Sequence, residues 1–83
     1  MSEFDDLPVI ELGLYRHYKG GEYRVLGVGC NTEAHEYYVV YSPVNPTDGH
    51  PAIWLRPYGM FIEMVEVNGE SIPRFKKLTN ILQ

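Results

Sequence analysis

The sequence predicts an all-β protein, a small SH3-like barrel of five or six short, curved strands with one short helical turn. Glycine and proline interrupt the chain at short intervals, and β-branched and aromatic residues fill the segments between them. No segment keeps a helical period for three turns. With 83 residues the chain holds one domain, and closing so small a sheet into a barrel removes its exposed edges. An OB-like barrel would need a longer chain and a helix.

The charge is distributed unevenly along the chain. Four of the eleven acidic residues lie within residues 1–11, which we interpret as a flexible acidic lead, and residues 12–83 form the predicted domain. From residue 12 onward seven acidic residues balance seven basic ones. This balance excludes a strongly basic nucleic-acid surface, so any anion must bind to a local cluster of cations.

The composition also bears on location and cofactors. No apolar run approaches the roughly 18 residues of a membrane span, and the acidic start lacks the features of a signal peptide. A single cysteine, Cys30, excludes an internal disulfide and a cysteine-rich metal site. We therefore expect a cytoplasmic protein with no membrane contact and no cofactor. The sequence carries no signal for an oligomeric state.

The first two strands are predicted to form a hairpin. Residues 14–19 make the first strand, which ends at Gly20-Gly21, a pair suited to the positive φ angles of a two-residue turn. Residues 22–30 make the second strand. Its apolar residues fall on both faces and it contains two glycines, which indicates strong curvature.

The middle of the chain continues the pattern of strands and turns. Residues 31–34 are turn-like, and residues 35–42 form a third strand rich in tyrosine and valine. Residues 43–51 form a surface loop with proline, asparagine and glycine. Residues 52–56 form the fourth strand, which Pro57 ends.

The last third begins with a helical turn at residues 58–61. A strand then runs to Val67, and Asn68-Gly69 is a strong two-residue hairpin signal. The chain returns through Phe75. Residues 78–83 add a final short strand or helical turn.

Several motifs together resemble a known family. The chain contains Tyr-Arg-His-Tyr-Lys-Gly at residues 15–20, Trp-x-Arg-Pro at 54–57, Met-Phe at 60–61 and Pro-Arg-Phe at 73–75. This set is similar to that of a small bacterial family of unknown function, and the resemblance extends over nearly the whole chain. Asn31-Thr32 departs from it, because the family pattern has His-Ser there. The resemblance implies the domain boundary and fold but no activity.

The fourth strand supplies the first candidate site residues. If Ile53 and Leu55 face the core, strand alternation places Trp54 and Arg56 together on the outer face. One interpretation is that Trp54 packs under a loop with Arg56 stacked on it. The alternative is a stacking platform beside an anion clamp. In the second case replacing Arg56 by alanine should weaken binding and leave the melting temperature nearly unchanged.

The opening motif supplies four further candidates. Tyr15 and His17 share one face of a strand, while Arg16 and Tyr18 share the other. One set must pack, with Tyr15 or Tyr18 in the core and Arg16 bonded to carbonyls or to an acid such as Glu33. Lys19 lies at a hairpin tip, which is exposed by default and can also present backbone N–H groups to an anion.

In the last cationic segment, residues 74–77, Phe75 is flanked by Arg74 on one side and by Lys76 and Lys77 on the other. Lys76 and Lys77 are typical of an edge strand protected from aggregation. Arg74, held between Pro73 and Phe75, could complete an anion clamp with Arg56 or pair with an acid and hold the barrel shut.

Catalytic and metal-binding sets are weakly indicated. His17 with Glu33 is the one pair we would nominate for acid–base chemistry, and neighbouring cations would favour a neutral imidazole. A metal set can be drawn from Glu33, His35, Asp48 and His50, but it has no recognised ligand spacing. We therefore predict neither a catalytic centre nor a metal.

Together these features predict a non-catalytic binding module for an anionic, planar ligand, namely a nucleotide, single-stranded RNA or an acidic peptide of a protein partner. The predicted ligand-binding residues are Arg16, His17, Tyr18, Lys19, Trp54, Arg56 and Arg74, with Tyr15 and Glu33 as accessory residues. The alternatives are a structural or protein-interaction domain with internally paired arginines and, third, a small enzyme that uses His17 and Glu33.

Overall fold

A computed structural model describes residues 8–46 and 52–79 and is almost entirely β-structure. The strands and the one helical turn, in chain order, are β1 (Gly13–His17), β2 (Glu22–Asn31), β3 (Glu36–Pro43), β4 (Trp54–Pro57), α1 (Tyr58–Phe61), β5 (Met64–Val67), β6 (Glu70–Pro73) and β7 (Phe75–Thr79). The prediction of a small all-β fold with one short helical turn is confirmed. The segment predicted as a single return strand is divided at Arg74 into β6 and β7.

The strands form two antiparallel sheets. Five of them make one sheet in the order β4-β3-β2-β1-β7, and β5 and β6 form a separate two-stranded hairpin. Backbone hydrogen bonds between the described strands do not close the larger sheet into a barrel. The sheet instead curls until its two edge strands meet through side chains, because Arg56 of β4 lies over the Phe75 ring of β7.

A bulge in β2 explains why its apolar residues fall on both faces. Val25 pairs with Tyr41 and Gly27 with Val40, so Leu26 is an extra residue in the ladder. The inward-facing positions therefore change phase, because a single inserted residue reverses the alternation of side chains. Val25 is buried before the bulge, and Leu26 is exposed. The predicted curvature of this strand thus has its physical cause at Leu26.

The two predicted hairpin turns have different outcomes. Asn68 and Gly69 both have positive φ angles, 53° and 81°, as a two-residue type I′ turn requires. The β1–β2 connection is longer than predicted. The His17 N–H donates to the Gly21 carbonyl at 2.7 Å and the Gly20 N–H donates to the His17 carbonyl at 2.7 Å, so residues 18–21 form the loop.

Aromatic rings dominate the interior of the curled sheet. The buried side chains are Tyr15, Val25, Val39, Tyr41, Phe61 and Phe75, with Ile10, Tyr23, Trp54 and Tyr58 packed against them. Phe61 of α1 stacks on Phe75 with 4.0 Å between ring centroids and an interplanar angle of 6°. Because α1 delivers Phe61 onto an edge strand, this single helical turn helps to hold the sheet in its curved form.

Part of the predicted acidic lead contacts the domain. The Tyr15 hydroxyl donates to the Glu11 carbonyl at 2.7 Å, the Tyr58 hydroxyl donates to the Val9 carbonyl at 3.0 Å, and Lys77 pairs with Glu11 at 3.1 Å. Residues 1–7 of that lead lie outside the described residues. Within the described ranges, no helix is long and apolar enough to cross a membrane.

Candidate functional site

The orientation predicted for β4 is wrong. Ile53 and Leu55 are the exposed residues, with 54% and 62% of their surface accessible, whereas Trp54 and Arg56 are half-buried. The cause is the register with β3, in which Trp54 lies opposite Tyr41 and Arg56 opposite Val39. Directly opposed residues project to the same face of a sheet.

Because both of those β3 residues are buried, Trp54 and Arg56 turn inward. Trp54 therefore belongs to the aromatic interior. Its ring lies 5.6 Å from that of Tyr23 and 6.0 Å from that of Tyr41, measured between centroids.

Arg56 is held against aromatic side chains. Its Nε donates to the Tyr41 hydroxyl at 3.2 Å, and its Cζ lies 5.4 Å from the Phe75 ring centroid. No carboxylate within the described residues lies at ion-pair distance from Arg56. This guanidinium is thus half-buried against aromatic rings with no carboxylate partner among the described residues.

His17 lies beside the same phenylalanine. Its imidazole contacts the Phe75 ring edge-on at 4.8 Å, and its Nδ1 accepts a hydrogen bond from the Lys19 N–H at 3.1 Å. Burial, followed by the charges of Arg56, Arg74 and Lys19, lowers the pKa of His17. A neutral ring whose Nδ1 is an acceptor carries its proton on Nε2. His17 is therefore a neutral hydrogen-bond donor among cations.

Arg74 lies in the bend between β6 and β7 and is bonded on three sides. Its N–H donates to the Glu63 carbonyl at 2.9 Å, its Nη2 pairs with the Glu63 carboxylate at 3.1 Å, and its carbonyl accepts from the Tyr18 N–H at 2.9 Å. Its Nε is buried and has no hydrogen-bond partner among the described residues. A buried donor without a partner is costly, and because this Nε is closed to solvent it is not open to a ligand in this conformation.

The remaining residues of the opening motif divide between core and surface. Tyr15 is buried and makes an edge contact with Phe61 at 5.6 Å. Arg16 is exposed and pairs with Glu22 at 2.8 Å rather than with Glu33. Tyr18 is exposed, its ring lies 4.7 Å from His17, and Lys19 Nζ lies 5.8 Å from the Tyr18 centroid. Tyr15 and half-buried His17 thus share the packed face and Arg16 the outer one, as predicted, but Tyr18 lies in the loop beyond β1 and its ring contacts His17, so the face predicted for Tyr18 is wrong.

The structure separates Glu33 from these residues. Glu33 lies in the β2–β3 turn, whereas His17 ends β1 at the opposite end of the ten-residue strand β2. At about 3.3 Å per residue, the ends of β2 lie roughly 30 Å apart along the strand. The pair nominated for acid–base chemistry is thus not brought together. In the part of the chain that the structure describes, no three metal-ligating side chains cluster, and Asp48 and His50 lie outside it.

The residues that the fold does bring together are His17, Arg56, Arg74 and Phe75, which we call the His17 cluster. Phe75 is the common element, because its ring contacts both His17 and Arg56 and its neighbour in sequence is Arg74. Sequence reasoning placed Arg56 with Arg74 but missed Phe75 as their support and Glu63 as the partner of Arg74. No spacing rule could have found Glu63, since its pairing depends on how β5 and β6 are placed.

A cavity of about 330 Å³ lies beside the His17 cluster and includes His17 in its lining. We call it the β1–β6 cavity. It is lined by residues of β1 and its turn, of β6 and of β7, namely Arg16, His17, Tyr18, Gly20, Ile72, Pro73 and Lys76. A second cavity of about 410 Å³ lies on the other side of the hairpin loop, against Tyr23 and Pro43. The first cavity alone includes predicted ligand-binding residues.

Comparison with known proteins places this arrangement in a family. Residues 13–77 match a family described as protein of unknown function (DUF1653). A solved structure of a protein of that family from Bordetella bronchiseptica is similar to this chain, with a TM-score of 0.78 and 30% sequence identity over 89% of this chain and 94% of that one. No curated protein matches the chain. The resemblance predicted from the motifs is confirmed, and the chain belongs to the DUF1653 family.

Proposed function

We propose that this protein is a non-catalytic binding module that takes an anionic, planar ligand at the face around His17. One observation carries the proposal. Arg56 of β4 and the His17 ring both contact Phe75, and Lys19 and Arg74 lie close enough to act on the same imidazole. Glu63 balances Arg74, whereas Arg56 and Lys19 have no carboxylate at ion-pair distance among the described residues, so an anion would relieve their repulsion. The site is therefore arranged for a negative group.

The hydrogen-bonding state of the two arginines supports an anion at this place. Among the described residues, Arg56 has the neutral Tyr41 hydroxyl as its hydrogen-bond partner, and Arg74 uses its Nη2 for Glu63. A guanidinium presents five donors, so both side chains have donors to spare. Phosphate and carboxylate oxygens are the acceptors that fit arginine best. The Nε2–H of His17 adds a neutral donor.

The planar part of the ligand would lie against Tyr18. This ring is exposed, lies next to the His17 ring, and is anchored through its backbone bond to Arg74. Aromatic rings of this kind support stacking of bases and other flat groups. Trp54 would contribute indirectly, because its ring packs against Tyr41, whose hydroxyl accepts the hydrogen bond of Arg56. Arg16 and Lys19 are at the margin and would adjust affinity.

The test is an amide-resolved NMR titration with a nucleotide pool, a mixed oligonucleotide and an acidic peptide, each at low and physiological salt. We expect shifts on residues 17–19, Arg56 and Arg74 that persist at physiological salt, because partly buried charges are screened less than exposed ones. An Arg24→Gln variant is the matched control, since Arg24 is exposed on β2. If no probe shifts these amides, the proposal fails.

A second candidate is a structural or protein-interaction domain whose arginines serve stability. Arg74 favours it, because both its backbone and its side chain bond to Glu63 and tie the start of β5 to the β6–β7 bend. In this case Arg74→Ala lowers the melting temperature by several degrees and no small anionic ligand binds. Measuring both properties on the same variant separates the two candidates.

The proposal also covers the cellular compartment and the binding partner of the module. A reducing, cytoplasmic compartment agrees with a single free thiol, Cys30, which is half-buried. The partner would be a nucleotide, an RNA or a protein with an acidic segment. Localisation of the tagged protein by cell fractionation checks the compartment.

A further inference from the structure

The β1–β6 cavity offers a place for a ligand that the sequence did not indicate. Four of its lining residues, Gly20, Ile72, Pro73 and Lys76, were not among the predicted ligand-binding residues. Its volume of about 330 Å³ is at the small end of the range of small-molecule sites, about 300–1,000 Å³. Such a space takes one flat ring system.

The rim of the cavity carries two adjacent cations. Arg16 and Lys76 are direct register partners on β1 and β7 and are both exposed. Side chains opposed in this way have Cβ atoms about 4.5–5.5 Å apart, and like charges there are destabilising. Glu22 compensates Arg16 at 2.8 Å. For Lys76, no carboxylate at ion-pair distance occurs in residues 8–46 and 52–79.

The charge around the cavity matches a phosphate monoester. Arg16 and Lys76 line the cavity, and Lys19 lies beside it, with its Nζ 5.8 Å from the Tyr18 ring centroid. Glu22 pairs with Arg16, which leaves the two lysines without a carboxylate at ion-pair distance among the described residues. A phosphate monoester carries about −1.5 to −2 at pH 7, whereas a carboxylate carries one negative charge. A phosphate therefore balances this rim more completely than an acidic side chain does.

The walls of the cavity suit a nucleobase. Tyr18 and His17 give two rings 4.7 Å apart and tilted by 34°, and Ile72 and Pro73 give an apolar wall. The His17 ring is held edge-on against Phe75, and the Tyr18 backbone is held by its N–H bond to the Arg74 carbonyl while its ring contacts His17. A fixed wall loses little conformational entropy when a ligand binds.

We propose that the β1–β6 cavity binds the base of a nucleoside monophosphate and that Arg16 and Lys76 bind its phosphate. This inference rests on the proposed function, narrows it to one ligand class, and moves the anion from Arg56 and Arg74 to Arg16 and Lys76 at the cavity rim. The same chemistry is offered by a free mononucleotide and by the 5′-phosphorylated end of an RNA. An acidic peptide is the ligand that it excludes.

The experiment compares ligands that differ in one group, with binding followed by calorimetry and NMR. The probes are adenosine 5′-monophosphate, uridine 5′-monophosphate, adenosine, inorganic phosphate, and a diribonucleotide with and without a 5′-phosphate. We expect both monophosphates to bind more tightly than adenosine or phosphate. The two diribonucleotides distinguish a free nucleotide site from an RNA-end site, since in the latter the phosphorylated dimer binds at least as well as the monophosphate.

Three variants locate the ligand. Lys76→Gln should weaken monophosphate binding about five- to tenfold, the loss of one charge-assisted contact, and leave adenosine binding unchanged. Lys76→Arg, which keeps the positive charge, should bind monophosphates as tightly as the wild type does. Tyr18→Ala should weaken monophosphates and adenosine alike by about tenfold, because stacking does not depend on the phosphate. Arg24→Gln is the control for loss of one exposed charge, and melting temperatures confirm that each variant is folded.

The outcomes separate this inference from the proposed function. If monophosphates bind but Lys76→Gln behaves as Arg24→Gln does, with shifts confined to Arg56 and Arg74, the cavity assignment is overturned and the module remains. If the acidic peptide binds and the nucleotides do not, the ligand class is overturned. If none of the probes binds, both proposals fail. Selective loss of monophosphate binding in Lys76→Gln supports the assignment.

Discussion

Arg56→Ala should destabilise the fold substantially, in contrast to the small effect predicted from the sequence alone. The Arg56 Nε bond to the Tyr41 hydroxyl is 3.2 Å long, and Tyr41 is 2% exposed, so truncation leaves a buried hydroxyl without this partner. A hydrogen bond to a charged group contributes about 1.5–3 kcal/mol. The contact of the guanidinium with Phe75 adds about 0.5–1 kcal/mol. We expect a loss of about 2–4 kcal/mol in the free energy of unfolding.

Chemical and thermal unfolding followed by circular dichroism measure this loss. In a domain of this size each kcal/mol lowers the melting temperature by about 4–8 °C, so Arg56→Ala should melt roughly 10–30 °C below the wild type. Arg24→Ala is the matched control, because Arg24 is exposed on β2, and it should change the free energy of unfolding by less than about 0.5 kcal/mol.

A double-mutant cycle with Tyr41→Phe identifies the contact responsible. Tyr41→Phe keeps the buried ring and removes only the hydroxyl, so the coupling energy between the two positions reports their hydrogen bond. We expect a coupling of about 1–2 kcal/mol. A coupling near zero, or an Arg56→Ala variant as stable as Arg24→Ala, would refute the inward orientation of Arg56 and restore the exposed platform predicted from strand alternation.

Three further variants test the fold and its electrostatics. Phe61→Ala should cost about 3–5 kcal/mol in urea unfolding, because Phe61 is 1% exposed and stacked on Phe75; a cost under 1 kcal/mol would contradict the role given to α1. Gly69→Ala should cost about 1–2 kcal/mol of strain at φ +81°, whereas Gly59→Ala, within α1 and with open space around it, should be neutral or stabilising. The pKa of His17 is lowered from 6.5, mainly by burial. The unfolded chain therefore binds a proton at His17 more readily than the folded protein does. As a result, His17 contributes stability above pH 6.5, and this stability is lost as the pH falls through the lowered pKa. His17→Gln should flatten that part of the stability–pH profile, and an unchanged profile would show that His17 is not held neutral.

The fold class followed from local signals that act within a few residues. The Asn68-Gly69 pair accepts positive φ angles and so predicts its hairpin turn, and the helical turn at residues 58–61 was placed at its correct bounds. The length of the β1–β2 loop could not be predicted from local signals in the same way. Gly20 takes a positive φ of 115°, but the hydrogen bonds of His17 to Gly20 and Gly21 set a longer loop.

The face of each strand was the point at which local reasoning failed. Alternation shows that Trp54 and Arg56 share a face, but it does not show which face is inside. The pairing with β3 decides this, because the residues opposite them are the buried Tyr41 and Val39. In β2 the bulge at Leu26 reverses, in the middle of the strand, which alternate residues face the interior.

The sequence by itself determined the all-β class, the family and the identity of the cationic and aromatic segments, because each of these is encoded in short stretches of chain. Tertiary structure alone decided which cations meet. His17 and Arg56 are far apart in sequence and contact the same Phe75 ring because the sheet curls its edges together. Glu33 is separated from His17 because a ten-residue strand lies between their turns. Proximity between segments depends on register and curvature, which are properties of paired strands and not of any one of them.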